Sequence, residues 1–213
     1  MNRTVLRSLV VLSLAAPVAA TTYEIDGSHS GVGFRVRHLV GKVNGRFEKF
    51  EGAFDFVEGK PEAWKAKATI DSASINTSNT KRDEHLRSAD FFDVEKCPKI
   101  EFVSKAATKG KDDKWMLAGD LTMHCVTKAV NLMLEVDGTT TDPWGNDRVG
   151  VTATGKINRK DFGINYNKAL DRGGMMLGDE VSLELNIEGI AKSDKGGDKA
   201  EKKSDKPAPK KGK

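Results

Sequence analysis

This sequence of 213 residues has only two cysteines, and it has no closely paired histidines, no catalytic serine motif and no long apolar run. The apolar runs fall short of the roughly 20 residues that a membrane-spanning helix needs, and no Gly-x-Ser-x-Gly motif indicates a serine hydrolase. No His-x-His or His-x-x-x-His pair supports a metal site; the four histidines are His29, His38, His85 and His124. Metal-dependent and serine-nucleophile chemistry therefore lack the local motifs on which they usually depend.

The first 20 residues have the layout of a secretory signal peptide. Arg3 and Arg7 precede an apolar stretch from Leu9 to Ala16, and the small residues Val18, Ala19 and Ala20 follow. This order of positive, apolar and small residues is typical of a cleaved leader. Residues 1–20 are therefore predicted to be a signal peptide, which predicts a periplasmic or secreted protein.

Residues 192–213 form a lysine-rich tail with nine lysines, four acidic residues and no large apolar side chain. Such a segment cannot bury enough apolar surface to fold, so we expect it to be disordered. It either keeps the protein soluble or makes peripheral contact with an anionic membrane surface. The net charge of +4 includes +2 from the leader and +5 from the tail, which leaves −3 on residues 21–191. A folded nucleic-acid-binding domain is therefore not supported.

The dominant pattern between the two ends is an alternation of apolar and polar residues with a period of two. It is typical of antiparallel strands with one buried and one exposed face. About eight strands are predicted, at 32–36, 47–57, 64–70, 99–103, 115–123, 130–136, 149–157 and 181–187. An all-β fold follows, and closure into an eight-stranded barrel hides the strand edges and leaves an interior for one ligand. A two-sheet sandwich is the alternative.

One segment, 77–92, breaks this alternation and predicts a short helical insertion of two to three turns. Ser78 or Asn79 can cap its N-terminus, and Phe91 and Phe92 follow its end as an aromatic plug. Elsewhere, small residues occupy inward positions, and the space they leave is filled either by other side chains or by a ligand. These small residues are Ala66, Ala68, Gly119, Ala153 and Gly155.

The two cysteines, Cys97 and Cys125, have two interpretations. In an exported protein they can form a disulfide, which would close a loop of roughly 28 residues and stabilise the fold by about 3 kcal/mol. They can equally be two separate buried thiols that act as small apolar residues.

Four sequence blocks resemble the YceI-like family, in order and across nearly the whole core. They are Tyr23 to Ser30 with Gly33, Phe34, Arg37 and His38; Ile75 to Asp93 with Pro98; Gly119 to Met123 with Val126 to Lys128; and Arg159 to Gly163. The resemblance implies a lipocalin-like barrel of eight antiparallel strands in residues 21–191 with a short helical insertion. It also implies a binding protein for a long-chain isoprenoid, a quinone precursor or a similar fatty amphiphile, without metal, cofactor or catalytic step. The family commonly has Gly at the position of Cys125, and this departure favours a disulfide specific to this chain.

Ligand contacts are predicted for aromatic wall residues and for polar residues at the cavity mouth. The predicted contacts are Phe34, His38, Trp64, Arg82, His85, Phe91, Phe92, Phe102, Trp115 and Phe162. Around the helix, Arg82, Asp83, His85, Arg87 and Asp90 either receive the ligand headgroup or hold the helix on the barrel.

Two alternatives to a lipid-binding protein stay open. One is an enzyme that modifies a lipid or quinone with His29, His38 or His85, and the other is a ligand-free structural or stress-response β-protein. A homodimer is compatible with the sequence.

Overall fold

The computed structural model describes residues 20–110, 114–171 and 173–192. The predicted signal peptide and lysine-rich tail lie outside these residues, apart from Ala20 and Lys192. The described residues form eleven strands: β1 (Thr21–Ile25), β2 (Gly31–His38), β3 (Gly41–Phe47), β4 (Phe50–Phe56), β5 (Lys65–Asp71), β6 (Ile75–Asn76), β7 (Lys99–Lys109), β8 (Trp115–Met123), β9 (Val126–Thr141), β10 (Asp147–Asn158) and β11 (Leu177–Ala191). One α-helix, α1 (Thr80–Arg87), lies between β6 and β7.

Eight of these strands form a closed antiparallel barrel. Its order is β1-β4-β5-β7-β8-β9-β10-β11, and the pairing of β11 with β1 closes the ring. The closing register places Tyr23 opposite Ala191 and Ile25 opposite Gly189. The predicted all-β, eight-stranded barrel with a short helical insertion is therefore confirmed, and the alternative two-sheet sandwich is wrong.

Three shorter strands lengthen one end of the barrel. β2 also pairs with β11, β3 pairs with β2, and β6 pairs with β3. Consequently three pairs of strands each form the two halves of one long, interrupted strand: β1 with β2, β3 with β4, and β5 with β6.

The two ends of the barrel differ. The end that carries α1, the β2–β3 turn, the β8–β9 turn and the β10–β11 connection is called the helical end below. The opposite end, called the terminal end, carries the β4–β5 and β9–β10 turns, the start of β1 and the end of β11. Lys192 lies at the terminal end, where its backbone N–H donates to the carbonyl of Thr22 at 2.8 Å.

Helix α1 begins at Thr80, and the preceding residue, Asn79, is extended and forms its N-cap. The Asn79 side chain accepts a hydrogen bond from the backbone N–H of Arg82, which satisfies one of the free donors in the first turn. Asp83 is buried and accepts from the backbone N–H of Thr77 at 3.0 Å. Of the two cap candidates that the sequence offered, Ser78 and Asn79, the structure therefore shows Asn79 as the cap.

Candidate functional site

The barrel encloses a cavity of about 200 Å³ whose walls are almost entirely apolar. Inward-facing side chains of β4, β5, β7, β8, β9, β10 and β11 form the walls, and Ile25, Val32, Phe34 and Phe47 complete them. On β9 the lining runs from Val130 to Val136, which is six residue steps, or about 20 Å of extended strand. The cavity is therefore long and apolar, a shape that suits a hydrocarbon chain better than a compact polar ligand.

The small inward residues fall into two groups. Ala66, Ala68 and Ala153 line the cavity, so the space beside their methyl groups stays open. At Gly119 and Gly155 the space is taken, because an added Cβ would lie 2.6 Å from the Phe102 ring and 2.7 Å from Leu132. The glycines thus make room for neighbouring side chains, whereas the alanines border open space, and filling of that space by a ligand stays a prediction.

Aromatic side chains gather toward the terminal end of the cavity. Trp64 packs against Phe56 and Trp115 with ring centroids 5.3 Å apart in both pairs. The Trp64 indole N–H donates to the carbonyl of Val57 at 2.7 Å, which fixes the ring against the wall. Burial raises the pKa of Tyr23, with a further increase from the nearby Asp147 carboxylate, so the phenol stays neutral.

A second aromatic group fills the helical end. Phe91 and Phe162 are buried in the same apolar cluster, and Phe92 packs edge-on against Phe47 at 5.7 Å. The His85 ring contacts Phe91 at 5.0 Å and Tyr166 at 4.8 Å. Apart from Phe47, which also lines the cavity, these side chains close the helical end and lie outside the cavity lining.

The polar residues around α1 are occupied with backbone and side-chain partners. Arg82 donates to the hydroxyl and carbonyl oxygens of Thr77, both at 2.7 Å. Arg87 donates to the carbonyls of Ala73 and Ile75 at 2.7 and 2.8 Å. These contacts support the structural interpretation, in which the cluster holds the helix on the barrel.

The predicted contact residues therefore occupy three kinds of place. Phe34, Trp64 and Phe102 line the cavity; Phe91, Phe92, Phe162 and Trp115 pack in the core around it; His38, Arg82 and His85 lie away from the lining. Whether any of them touches a ligand stays a prediction. The aliphatic lining of β8 to β11 was missing from the predicted site, although the same alternation already assigned those residues to the inner face.

The two cysteines form a disulfide, with their Cα atoms 5.4 Å apart. Cys97 is buried in the segment after α1, whereas Cys125 is exposed in the two-residue turn between β8 and β9. His124 and Cys125 both have positive φ, 52° and 59°, which is the backbone conformation of a type I′ hairpin turn. Cys125 thus adopts a backbone conformation that usually favours glycine, and the disulfide joins this turn to the segment after α1.

A charged cluster on the outer surface was not predicted from the sequence. Arg148 on β10 donates to Asp26 at 3.0 Å, to Asp142 at 2.8 Å and to Glu188 on β11. His29 contacts Asp26 at 2.8 Å. The hydrogen bond from His29, followed by that from Arg148, outweighs burial and holds the pKa of Asp26 at about 2. The same contact with Asp26 raises the pKa of His29.

Asp26, His29 and Glu188 offer ligand atoms within 4.8 Å of one another, but both carboxylates already accept hydrogen bonds from Arg148. We assign this cluster to holding β1, β10, β11 and the β9–β10 turn together. It joins the strands where the barrel closes.

Comparisons with known proteins agree with this architecture. The family model described as "YceI-like domain" matches residues 23–189. A UPF0312 protein from Staphylococcus aureus strain MSSA476 is 41% identical over 170 residues, which cover 79% of this chain and 96% of that protein. Within the described residues, no helix is long and apolar enough to cross a membrane.

Solved structures with the same fold come from several bacteria. The Campylobacter jejuni YCEI protein has a TM-score of 0.64 and 31% identity, covering 74% of this chain and 90% of that chain. Burkholderia cenocepacia BcnA has a TM-score of 0.68 at 22% identity, covering 77% of this chain and 98% of that chain. A polyisoprenoid binding domain from Saccharophagus degradans, implicated in plant cell wall breakdown, has a TM-score of 0.60 at 17% identity, covering 81% and 99%.

Proposed function

The chain belongs to the YceI-like family, and from that premise we propose that it binds a long apolar molecule inside its barrel, an isoprenoid or a similar amphiphile. The observation that carries this proposal is the apolar cavity enclosed by the eight strands. Members of this family are binding proteins and are generally non-catalytic. We accordingly propose no covalent step, metal or cofactor for this chain.

The energetics of such a site follow from its walls. Each methylene that leaves water for an apolar interior contributes roughly 0.8 kcal/mol. Several such groups along the cavity offset the cost of immobilising a ligand. The choice of an isoprenoid among apolar chains is supported by the sequence motifs and by the Saccharophagus degradans domain, which shares the fold.

Charged residues border the cavity on the pair β4 and β5. Asp55, Lys65 and Lys67 belong to the lining, and Asp55 lies directly opposite Lys65 in the strand register. Their charged groups nevertheless face out of the barrel, because Lys65 and Lys67 are exposed and alternate with the inward-facing alanines of β5, and Asp55 accepts a hydrogen bond from the Thr22 hydroxyl at 2.7 Å. We therefore propose no contact between these groups and the polar head of an amphiphile.

The place of action is also a proposal. We propose an exported, periplasmic or secreted carrier, supported by the leader-like residues 1–20. Through its lysine-rich tail the protein can make peripheral contact with anionic lipid, which would bring the barrel near the membrane that holds its ligand.

A fluorescence titration tests the binding proposal. Trp64 lines the cavity, whereas Trp144 is 80% exposed on the β9–β10 turn, so a Trp144→Phe background reduces emission from outside the site. Addition of a polyprenol to delipidated protein is expected to shift the remaining tryptophan emission, which comes from Trp64 and the adjoining Trp115, with saturation at one ligand per chain. If emission stays unchanged and the polyprenol does not co-elute with the protein, the ligand-free β-protein is the better account.

A further inference from the structure

An exposed apolar surface lies at the helical end, separate from the cavity. It consists of Leu39 and Val40 in the β2–β3 turn and of Leu170 and Met175 in the β10–β11 connection, and we call it the apolar tip. These side chains are exposed by 44%, 106%, 36% and 41%. Four of the six exposed large apolar residues in the described part of the chain thus belong to two adjoining loops.

Hydrogen bonds join the two loops into one surface. The backbone N–H of Leu39 donates to the carbonyl of Met176 at 2.8 Å. Arg37 donates to the carbonyl of Leu39 at 3.0 Å and to that of Met175 at 3.2 Å. The tip is therefore a defined structural unit in which one guanidinium bridges both apolar loops.

The residues of this turn are not those that a hairpin turn prefers for stability. His38 pairs with Gly41, which leaves Leu39 and Val40 as a two-residue hairpin turn, and Leu39 has a φ of 51°. That backbone conformation favours Gly or Asn and is costly for a larger side chain. A turn that exposes two apolar residues at this cost departs from local folding preference, which is expected where a surface has a function.

Cations surround the apolar tip. Arg37, Lys42 and Lys168 are exposed, and among residues 20–110, 114–171 and 173–192 none of them has a salt bridge to a carboxylate. The same connection carries two acidic residues, Asp161 and Asp171, which the three cations outnumber by one. The combination is a protruding apolar centre with a positive rim.

We propose that the apolar tip docks on the surface of an anionic lipid bilayer. The apolar side chains enter the boundary between headgroups and acyl chains, and the surrounding cations lie beside lipid phosphates. A protein partner fits less well, because a stable protein interface needs about 800 Å² on each side, and a narrow hairpin tip offers only a few side chains. This surface is independent of the cavity and lies at the end opposite to Lys192, where the lysine-rich tail begins.

Vesicle cosedimentation tests this proposal. The purified protein with its native tail is mixed with phosphatidylcholine vesicles that contain either no anionic lipid or about 25% phosphatidylglycerol. Val40→Asp combined with Met175→Asp is expected to weaken binding to the anionic vesicles by about tenfold or more. The control, Trp144→Asp, adds charge at the exposed tryptophan of the terminal end and is expected to change binding less than about twofold.

Three results would overturn the proposal: the double variant binds like the unmodified protein, which assigns docking to the tail; Trp144→Asp alone abolishes binding; or the unmodified protein binds no vesicles. Circular dichroism checks that each variant is folded. Ala68→Trp, inside the cavity, is expected to leave vesicle binding intact, and the double variant to leave polyprenol binding intact. Failure of the docking proposal and failure of the cavity proposal are therefore distinguishable.

Discussion

Replacement of Ala68 by tryptophan tests whether the ligand binds inside the cavity. Ala68 lies in β5, opposite Gly52 and Phe102 in the register, and its methyl group borders the open space. An indole adds about nine heavy atoms to a cavity of about 200 Å³, and so takes up space that a ligand chain needs.

The expected loss of affinity follows from the ligand groups that are displaced. If the indole excludes only about three methylenes, the binding free energy falls by about 2.4 kcal/mol, which raises the dissociation constant roughly 60-fold. Overpacking can itself destabilise the barrel by about 1 to 3 kcal/mol. Thermal unfolding of the variant must therefore show a folded protein at the assay temperature.

Displacement of the fluorescent apolar probe N-phenyl-1-naphthylamine by a polyprenol measures the affinity. The matched control is Val103→Trp, because Val103 is 47% exposed on the outer face of β7, beside the inward Phe102. The control adds the same indole outside the barrel and is expected to bind like the unmodified protein. Equal affinities for a folded Ala68→Trp variant and the control would refute an interior binding site.

Three further predictions concern stability and pH. Replacing Cys97 and Cys125 together by serine should lower the free energy of unfolding by roughly 3 to 4 kcal/mol, since the disulfide closes a separation of 28 residues; an unchanged urea midpoint would contradict this. Arg159→Met should destabilise by about 2 to 4 kcal/mol in the same assay, because the buried guanidinium donates to the carbonyls of three residues and to a carboxylate. A loss below about 0.5 kcal/mol would contradict this role. The raised pKa of His29 predicts a stabilising contribution that is complete below its ordinary value of 6.5 and is lost as pH rises through the folded value. Between about pH 5 and about pH 9, the melting temperature should therefore fall less in His29→Gln than in the unmodified protein. Asp26 contributes a separate loss of stability in acid, as the pH falls toward its pKa of about 2. Parallel curves for the two proteins would count against the contact.

The alternation of residues predicted eight strands and their inner faces, because side-chain direction has a period of two in any strand, but it missed β1, β3 and β6. Leu183 and Leu185, for example, face inward as their spacing indicates. The division of the long strands into β1 with β2 and β3 with β4 could not be predicted. It depends on both halves pairing with distant partners, such as β11, and local sequence does not contain that information.

The site was predicted only in part for a similar reason. An inward aromatic residue either borders the cavity, as Phe102 does, or fills the core, as Phe162 does, and the difference depends on neighbours from other strands. The cluster around Arg148 was missed because two of its partners, Asp26 and Glu188, are 122 and 40 residues away in sequence. Pairings of that kind are set by the barrel's closure.

Native mass spectrometry of the protein purified from its own cells without detergent tests the central claim most directly. We predict a population that carries one apolar molecule per chain, released by organic extraction and lost from Ala68→Trp but kept by Val103→Trp. A folded protein whose mass is that of the chain alone, and which takes up no added polyprenol, would contradict the claim that the barrel interior is a binding site.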